Sequence, residues 1–264
     1  MIRVRLEVCV DTREGLEIAA LHGADRIELC TCLSAGGLTP SLGIMEIAAK
    51  LGCPTRVMIR PRDGDFTYSP GEIDLMLRDI DTVAALSLEG VVFGANRAAG
   101  DLDGPALTRL VGHAKAQGLK VTLHRSFDLA PDLGAALAVA VDLGIDAVLT
   151  SGGESDAYKG INALKTLAAS AKAAGDAIEI MAGVGVGSGS VREIVARTGV
   201  PWVHGSCSLP RTVVSQEALR LGYSSPDHRR TDPEEISRIL DILTDIGDPG
   251  QVSLVKATPG VARG

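Results

Sequence analysis

Two short apolar stretches near the start of the chain repeat one uncommon pattern, a carboxylate followed two residues later by a thiol. Glu7 and Cys9 form the first pair, and Glu28 and Cys30 form the second. Side chains two residues apart on a strand share a face, so each pair points in one direction if these stretches are strands. Ionised carboxylates are almost never fully buried unless they are paired. The pattern therefore predicts an interior polar centre that receives both glutamates.

The two thiols offer the chemistry of a soft-metal site. Adjacent parallel strands lie ~4.8 Å apart, so Cys9 and Cys30 come within about one strand spacing if their registers match. Thiolates at that separation suit Cu(I). Cys32 is close enough in sequence to supply a third sulfur, and Cys207 is placed to close the ring beside the first strand. The alternative is that both cysteines are small hydrophobic core residues, the commonest role of buried cysteine.

Other polar residues follow later apolar stretches and extend this centre toward acid–base chemistry. Two like charges on neighbouring strands require that one glutamate keeps its proton or meets a cation, and Arg60 is the cation that the sequence suggests. Histidines at two predicted strand ends could transfer protons near neutral pH. The candidate catalytic set is Glu7, Glu28, Arg60, His124, Asp128 and His204. The alternative is a buried Glu–Arg–Glu network that closes the core and does no chemistry.

A glycine-rich run at residues 182–190, followed by a helix start, is similar to the main-chain anion sites of many α/β proteins. Glycine lets backbone N–H groups approach a phosphate closely. The candidate anion-binding residues are Arg60, Gly183, Gly185 and Ser206. The alternative is a connection that needs positive φ angles. No lysine stands at a predicted strand end, which argues against a Schiff-base aldolase.

Composition limits the partners that the chain can have. Of 264 residues, 45% are hydrophobic and 22% are charged, and the net charge is −7. Without a broad basic field, nucleic acid and anionic membranes are not expected partners, and a small ligand is favoured.

The first residues resemble a strand rather than a signal peptide, and no stretch is long enough to span a membrane, so we expect a cytoplasmic protein. Five cysteines form an odd set, which argues against a disulfide framework.

Eight apolar, β-rich runs recur along the chain, each followed by a segment with helical periodicity. They fall at residues 4–10, 26–30, 55–59, 90–93, 120–123, 147–149, 178–181 and 202–203. This alternation indicates βα units and a parallel sheet. Eight units in ~250 residues match a closed (β/α)₈ TIM barrel, whereas a doubly wound sheet would favour a glycine-rich first turn. We expect an α/β protein with a single barrel domain at 1–247 and a flexible tail at 248–264.

Ordered sequence blocks resemble those of the CutC copper homeostasis family. They lie at residues 6–11, 23–30, 36–41, 58–66, 124–128 and 149–153. The resemblance implies a (β/α)₈ barrel in the cytoplasm, a homo-oligomer of two or more copies, and a role in copper handling through cysteines that correspond to Cys9 and Cys30. The chain departs from the family pattern at Asp63, where glycine is usual, and at 182–185, where an unbroken glycine triplet is usual.

Two functions from different classes follow from these residues. The first is a copper-associated barrel protein in which Cys9 and Cys30 bind Cu(I). The second is a metal-independent enzyme acting on a small phosphorylated or carboxylated metabolite, with Arg60 and the glycine run holding the anion, a glutamate as general base and a histidine as acid. A scaffold whose surface only forms an oligomer is a third possibility.

Overall fold

Eight parallel strands close into a barrel. The computed structural model describes residues 3–212, 215–223 and 228–247, and the predicted tail at 248–264 lies outside them. The barrel strands are β1 (Arg5–Val10), β2 (Arg26–Leu29), β3 (Thr55–Met58), β4 (Gly90–Phe93), β5 (Lys120–Leu123), β6 (Ala147–Thr150), β7 (Glu179–Gly183) and β8 (Trp202–Gly205). Their order in the closed sheet follows the chain from β1 to β8. The predicted (β/α)₈ barrel is confirmed, and each predicted strand overlaps one of these strands.

A helix follows each of the first seven strands. These are α1 (Arg13–Leu21), α2 (Leu42–Leu51), α3 (Pro70–Ala85), α4 (Gly104–Ala116), α5 (Leu133–Asp142), α6 (Ile161–Ala173) and α7 (Val191–Thr198). After β8 the chain forms β9 (Ser208–Pro210), α8 (Gln216–Arg220) and β10 (Arg229–Thr231) before the last helix, α9 (Pro233–Gly247). The strands β9 and β10 pair with each other in an antiparallel hairpin that is not part of the barrel sheet. None of the helices in the described ranges combines the length and hydropathy of a membrane-spanning segment.

Local hydrogen bonds explain where several helices begin. The Ser69 hydroxyl accepts from the backbone N–H of Glu72, and the Glu72 carboxylate accepts from that of Ser69, which forms a capping box at α3. The Asp232 carboxylate accepts from two backbone N–H groups in the first turn of α9. Ser190 lies at the N-cap position of α7, but its side chain does not cap the helix. Its hydroxyl instead donates to the Gly185 carbonyl, 2.8 Å away.

Alternation along the strands separates an outer apolar core from a mixed interior. Outward residues such as Leu6, Val8 and Val10 belong to the large cluster between the barrel and its helices. Two smaller apolar clusters lie apart from it, one around Cys30 and Met58 and one formed by Leu149, Met181 and Trp202. The remaining interior positions are polar or glycine, so the barrel interior is only partly sealed by hydrophobic side chains.

The register of β1 determines which interior side chains are neighbours. Glu7 pairs with Arg26 on β2 and with His204 on β8, and Cys9 pairs with Glu28. Cys9 is therefore level with a residue two positions before Cys30, so the matched register on which we based a thiol pair does not occur. Parallel strands in a barrel are staggered, and this stagger sets the offset.

Gly94, directly after β4, leaves room for two side chains that follow β5. A β-carbon at Gly94 would lie 2.0 Å from Ser126 Oγ and 2.7 Å from His124 Cε1. We expect Gly94→Ala to lower the free energy of unfolding by about 1–3 kcal/mol through overpacking. Gly112→Ala in α4 is the control, since its β-carbon would meet no atom within 4 Å. Urea unfolding curves measure both; equal stability of Gly94→Ala and the wild type would contradict the prediction.

Candidate functional site

The Glu7 carboxylate lies at the centre of the barrel with no exposure to solvent. One oxygen accepts from Arg26 Nε, and the other is 2.8 Å from His204 Nδ1. Burial alone would raise the pKa of Glu7, but the Arg26 charge and the His204 hydrogen bond lower it to about 2. Arg26 is in turn fixed over the Trp202 ring, with Cζ 3.8 Å from the ring centroid. Glu7 is therefore a permanent buried anion above pH 5.

Arg26, and not Arg60, is the cation that pairs with the glutamates. We expected Arg60 because it follows β3, but its Nη1 donates to the carbonyls of Ala35 and Gly37 at 2.7 and 3.1 Å, and its Nη2 donates to Gly64 at 2.9 Å. Arg60 therefore fastens two loops together at the barrel mouth, and that part of the prediction is wrong. Arg26 belongs to the same alternation as Glu28 and Cys30, which is a signal the sequence contained.

Glu28, Cys9 and His204 form a second layer above Glu7. Their ligand atoms lie within 4.8 Å of one another, which makes them a candidate metal-binding group among the described residues. His204 Nε2 is 3.8 Å from Glu28 Oε2. Glu28 Oε2 also accepts from the Cys30 thiol at 3.5 Å, while Glu28 Oε1 is buried without a partner in the described chain. The layer contains sulfur, nitrogen and oxygen donors in one place.

Burial and neighbouring charges set the protonation of this layer. Burial raises the pKa of Glu28, and the negative Glu7 adds to this despite the opposing effect of His204. Burial would lower the pKa of His204, but Cys9, Glu28 and Glu7 together raise it well above its ordinary value. Burial and Glu28 raise the pKa of Cys30 well above the usual thiol range. These directions favour the protonated form of His204 and the neutral thiol of Cys30, and they make Glu28 harder to ionise than an ordinary glutamate.

A cavity of about 430 Å³ leads from the surface to Cys9. Its walls come from the loops after β1 and β2 and from the β9–β10 hairpin, including Asp11, Ser34, Arg229 and Arg230. Cys9 retains 8% of its surface exposed, whereas Cys30 is completely buried. Of Cys9 and Cys30, Cys9 is therefore the thiol that a ligand in this cavity can reach.

The glycine run after β7 already holds a carboxylate from the protein itself. Ser188 donates from its backbone N–H and from its hydroxyl to the two oxygens of Glu235, at 2.7 and 2.9 Å. Gly183 lies against Leu149, Gly185 has a φ of +72°, and the Ser206 hydroxyl is 2.8 Å from that of Ser208. The expected anion-binding group is divided, because Arg60 follows β3, four strands from β7 in the closed order.

Asp128 has a local structural role. Its carboxylate accepts from Thr150 Oγ1, from the Ser151 N–H and hydroxyl, and from the Gly153 N–H, and it pairs with Arg125 Nε at 2.9 Å. Five donors on two oxygens leave little capacity for a substrate proton. The structure places Asp128 as a clamp on the loop after β6 and does not bring it to the Glu7 centre.

His124 is buried and held in its neutral form. Nδ1 accepts from the backbone N–H of Ser126 at 3.1 Å, which places the ring hydrogen on Nε2. Burial, together with the nearby Arg60, lowers the pKa of His124 to about 3. The ring packs against Phe66, with centroids 4.8 Å apart. His124 is therefore a neutral ring that donates from Nε2, whereas the pKa of His204 is shifted in the opposite direction.

Comparison with known proteins assigns the chain to a family. The CutC family model matches residues 4–209. The chain belongs to the CutC family. It is 47% identical over 236 residues to the family protein CutC of Sinorhizobium medicae (strain WSM419), covering 89% of this chain and 94% of that protein. It is 45% identical over 243 residues to the family protein CutC of Caulobacter vibrioides (strain NA1000 / CB15N), covering 91% and 97%.

Solved structures agree with this assignment. The CutC of Streptococcus agalactiae, which carries the name of a copper homeostasis protein, is 31% identical with a TM-score of 0.71 and covers 77% of this chain and 98% of its own. The thiamine phosphate pyrophosphorylase of Pyrococcus furiosus, with 14% identity, a TM-score of 0.56 and coverage of 93% and 98%, shares the fold. The predicted family is confirmed.

Removing the partner of the buried Glu7 tests the centre of this CutC barrel. We expect Arg26→Met to cost about 3–5 kcal/mol of stability, because it leaves an uncompensated buried carboxylate. The double variant Glu7→Gln/Arg26→Met should recover a substantial part of that loss. Arg13→Met, which breaks the exposed Arg13–Glu17 pair, is the control and should change little. A loss for Arg26→Met no greater than for Arg13→Met in urea unfolding would contradict the assignment.

The neutral His124 makes stability depend on pH. Its folded pKa, about 3, is below the ordinary value of 6.5, so its contribution is complete above pH 6.5 and is lost as the pH falls toward 3. The stability difference between the wild type and His124→Asn should therefore shrink by about 1.4 kcal/mol per pH unit below 6.5. Urea unfolding from pH 7.5 to 4.5 measures it, with the exposed His113→Asn as control. A difference independent of pH would mean that folding does not lower the pKa of His124.

Proposed function

We propose that this CutC family protein binds Cu(I) at the mouth of its barrel and takes part in copper homeostasis. The observation that carries the proposal is the Cys9, Glu28 and His204 group, whose ligand atoms lie within 4.8 Å of one another and whose Cys9 lines an open cavity. Cys9 and Cys30 remain the candidate thiolate ligands, and His204 joins them. The name of the Streptococcus agalactiae relative supports this choice of metal.

The donor set fits a soft, monovalent metal. Thiolate sulfur selects Cu(I), and imidazole nitrogen is also a good copper ligand. The Glu28 oxygen is a harder donor, and its unpartnered Oε1 adds capacity to accept a proton or a metal bond. Glu28 also accepts a hydrogen bond from the Cys30 thiol, so this second thiol lies next to the proposed metal ligands. Bound Cu(I) would contribute a charge that stabilises both thiolates in the interior.

Protons compete with the metal at these positions. His204 must be neutral and both cysteines must be ionised to act as ligands, and the pKa values of His204 and Cys30 are raised well above their ordinary values. Metal binding therefore releases protons. Cys9 combines access from the cavity with contact to His204, so the first bond forms there, and the completely buried Cys30 completes the site. A cytoplasmic location and a homo-oligomer of two or more copies belong to the same proposal.

Cysteine variants test the copper site. We expect Cys9→Ser to weaken Cu(I) binding by at least 100-fold and Cys9→Ser/Cys30→Ser to abolish it, because a hydroxyl is a poor ligand for a soft metal. Competition with a chromophoric Cu(I) chelator under reducing conditions measures the affinity. Cys53→Ser is the matched control, since Cys53 lies away from the mouth and donates to the Ala24 carbonyl.

Two outcomes would reject the copper proposal. If the double cysteine variant binds Cu(I) as tightly as the wild type, the metal is not bound at these thiols. If Zn²⁺ displaces Cu(I) at equal concentration, the site does not have the soft-metal preference that its sulfur ligands imply. His204→Gln adds a third measurement and should weaken binding less than Cys9→Ser.

A further inference from the structure

A second group of polar atoms lies across the barrel mouth from Cys9. Nine buried side-chain nitrogen and oxygen atoms have no hydrogen-bond partner within the described part of the chain. Five of them follow β3, β4 and β5: Arg60 Nε, Tyr68 Oη, Asn96 Oδ1, His124 Nε2 and Ser126 Oγ. Buried polar atoms in folded proteins nearly always have a partner. Their concentration in one place points to a ligand and not to scattered packing defects.

Direct contacts join these residues around Phe66. The Phe66 ring lies 4.8 Å from the His124 ring, and Arg60 Cζ is 4.9 Å from the Phe66 centroid. The Phe66 carbonyl accepts from the Asn96 N–H at 2.9 Å, and Asn96 Nδ2 donates to the Ser126 carbonyl at 3.0 Å. We call the group Arg60, Phe66, Tyr68, Asn96, His124 and Ser126 the Phe66 site. Asn96, His124 and Ser126 are held by hydrogen bonds to one another, so this part of the site is formed before any ligand arrives.

Most of the unpartnered atoms of the Phe66 site can donate hydrogen bonds. Arg60 Nε always carries a hydrogen, and His124 Nε2 carries one because Nδ1 accepts from Ser126. The hydroxyls of Tyr68 and Ser126 can donate or accept. Asn96 Oδ1 can only accept, because both hydrogens of Nδ2 are used by the carbonyls of Gly100 and Ser126. The site suits a ligand with several acceptor oxygens and at least one hydroxyl.

The charge of the site favours an anion. Within the described ranges, the Arg60 guanidinium contacts no carboxylate, and its Nη atoms meet only backbone carbonyls. Arg60 is 5% exposed, so solvent screens its charge poorly. A carboxylate accepts charge-assisted hydrogen bonds from a guanidinium, and its second oxygen can accept from a ring N–H.

We propose that the Phe66 site binds a small hydroxycarboxylate. Its carboxylate accepts hydrogen bonds from Arg60 Nε and His124 Nε2, and a hydroxyl of the ligand donates to Asn96 Oδ1. This site is separate from the proposed copper ligands, none of which belongs to it. Phe66 covers Arg60 and His124, so the segment at 61–68 opens for the ligand to enter.

Calorimetric titration with glycerate tests the proposal, with acetate and inorganic phosphate as comparison probes. We expect glycerate to bind at least tenfold more tightly than acetate, which lacks the hydroxyl, and more tightly than phosphate. Ser126→Ala, which removes one hydroxyl, should weaken glycerate binding three- to tenfold. His124→Asn retains an acceptor for the Ser126 N–H but loses the Nε2 donor, and should weaken it at least tenfold. His113→Asn is the matched surface control and should bind like the wild type.

Nuclear magnetic resonance of ¹⁵N-labelled histidine gives a readout that does not depend on the stability of a variant. We expect the His124 Nε2 resonance of the wild type to move on addition of glycerate. Absence of both heat and resonance change with glycerate would overturn the proposal, and tighter binding of phosphate would overturn the choice of a carboxylate. Cys9→Ser should bind glycerate normally. A loss of glycerate binding in that variant would place the anion at the copper ligands and would also overturn a separate site.

Discussion

One buried carboxylate, that of Glu7, sets the state of the other titratable groups at the centre of the barrel. It has no contact with solvent, so its negative charge exists only because Arg26 and His204 bind its two oxygens. Burial raises the pKa of Glu28, and the Glu7 charge raises it further, because a second anion beside the first is unfavourable. The hydrogen bond from His204 to Glu7 is one of the contacts that raise the pKa of His204. The Glu7 ion pair therefore influences the layer above it, where Cys9 meets the cavity.

The two histidines of the mouth show how position in one fold can produce opposite chemistry. Cys9 and the carboxylates of Glu28 and Glu7 raise the pKa of His204, whereas burial and the nearby Arg60 lower the pKa of His124 to about 3. One half of the mouth therefore combines a cation with thiols, and the other half combines a fixed guanidinium with neutral donors. The two halves therefore differ in the ligand chemistry that they favour.

The sequence contained most of the fold and only part of the site. The recurrence of apolar strand segments and the periodicity of helices depend on local residue order. The eight βα units could therefore be recognised without knowledge of long-range contacts. The interior position of Glu7 and Glu28 could be predicted because side chains along a strand point alternately to its two faces. Which residues are neighbours across strands depends on the stagger of the barrel, which no local pattern encodes. That is why Cys9 is level with Glu28 and not with Cys30, and why Arg26 holds Glu7.

Similar reasoning explains the polar residues at the strand ends. Arg60 was recognisable as a buried cation, but its hydrogen bonds to Ala35 and Gly64 depend on loops whose conformation the sequence does not specify. The glycine run was recognisable as a possible anion site, but its Ser188 donors are used by Glu235, which lies 47 residues further along the chain. Such distant partners become visible only in the folded protein.

The contact between Glu235 and the glycine run also limits where an external anion can bind. In many barrels the loop after β7 offers its N–H groups to a phosphate. Here the Ser188 N–H and hydroxyl already have a carboxylate partner, and Arg238 binds the same carboxylate at 3.0 Å. An incoming anion would have to displace that carboxylate and leave it next to the loop, which costs electrostatic energy. Arg60 has no such carboxylate partner within the described chain, so the β3–β5 half of the mouth is the more favourable place for negative charge.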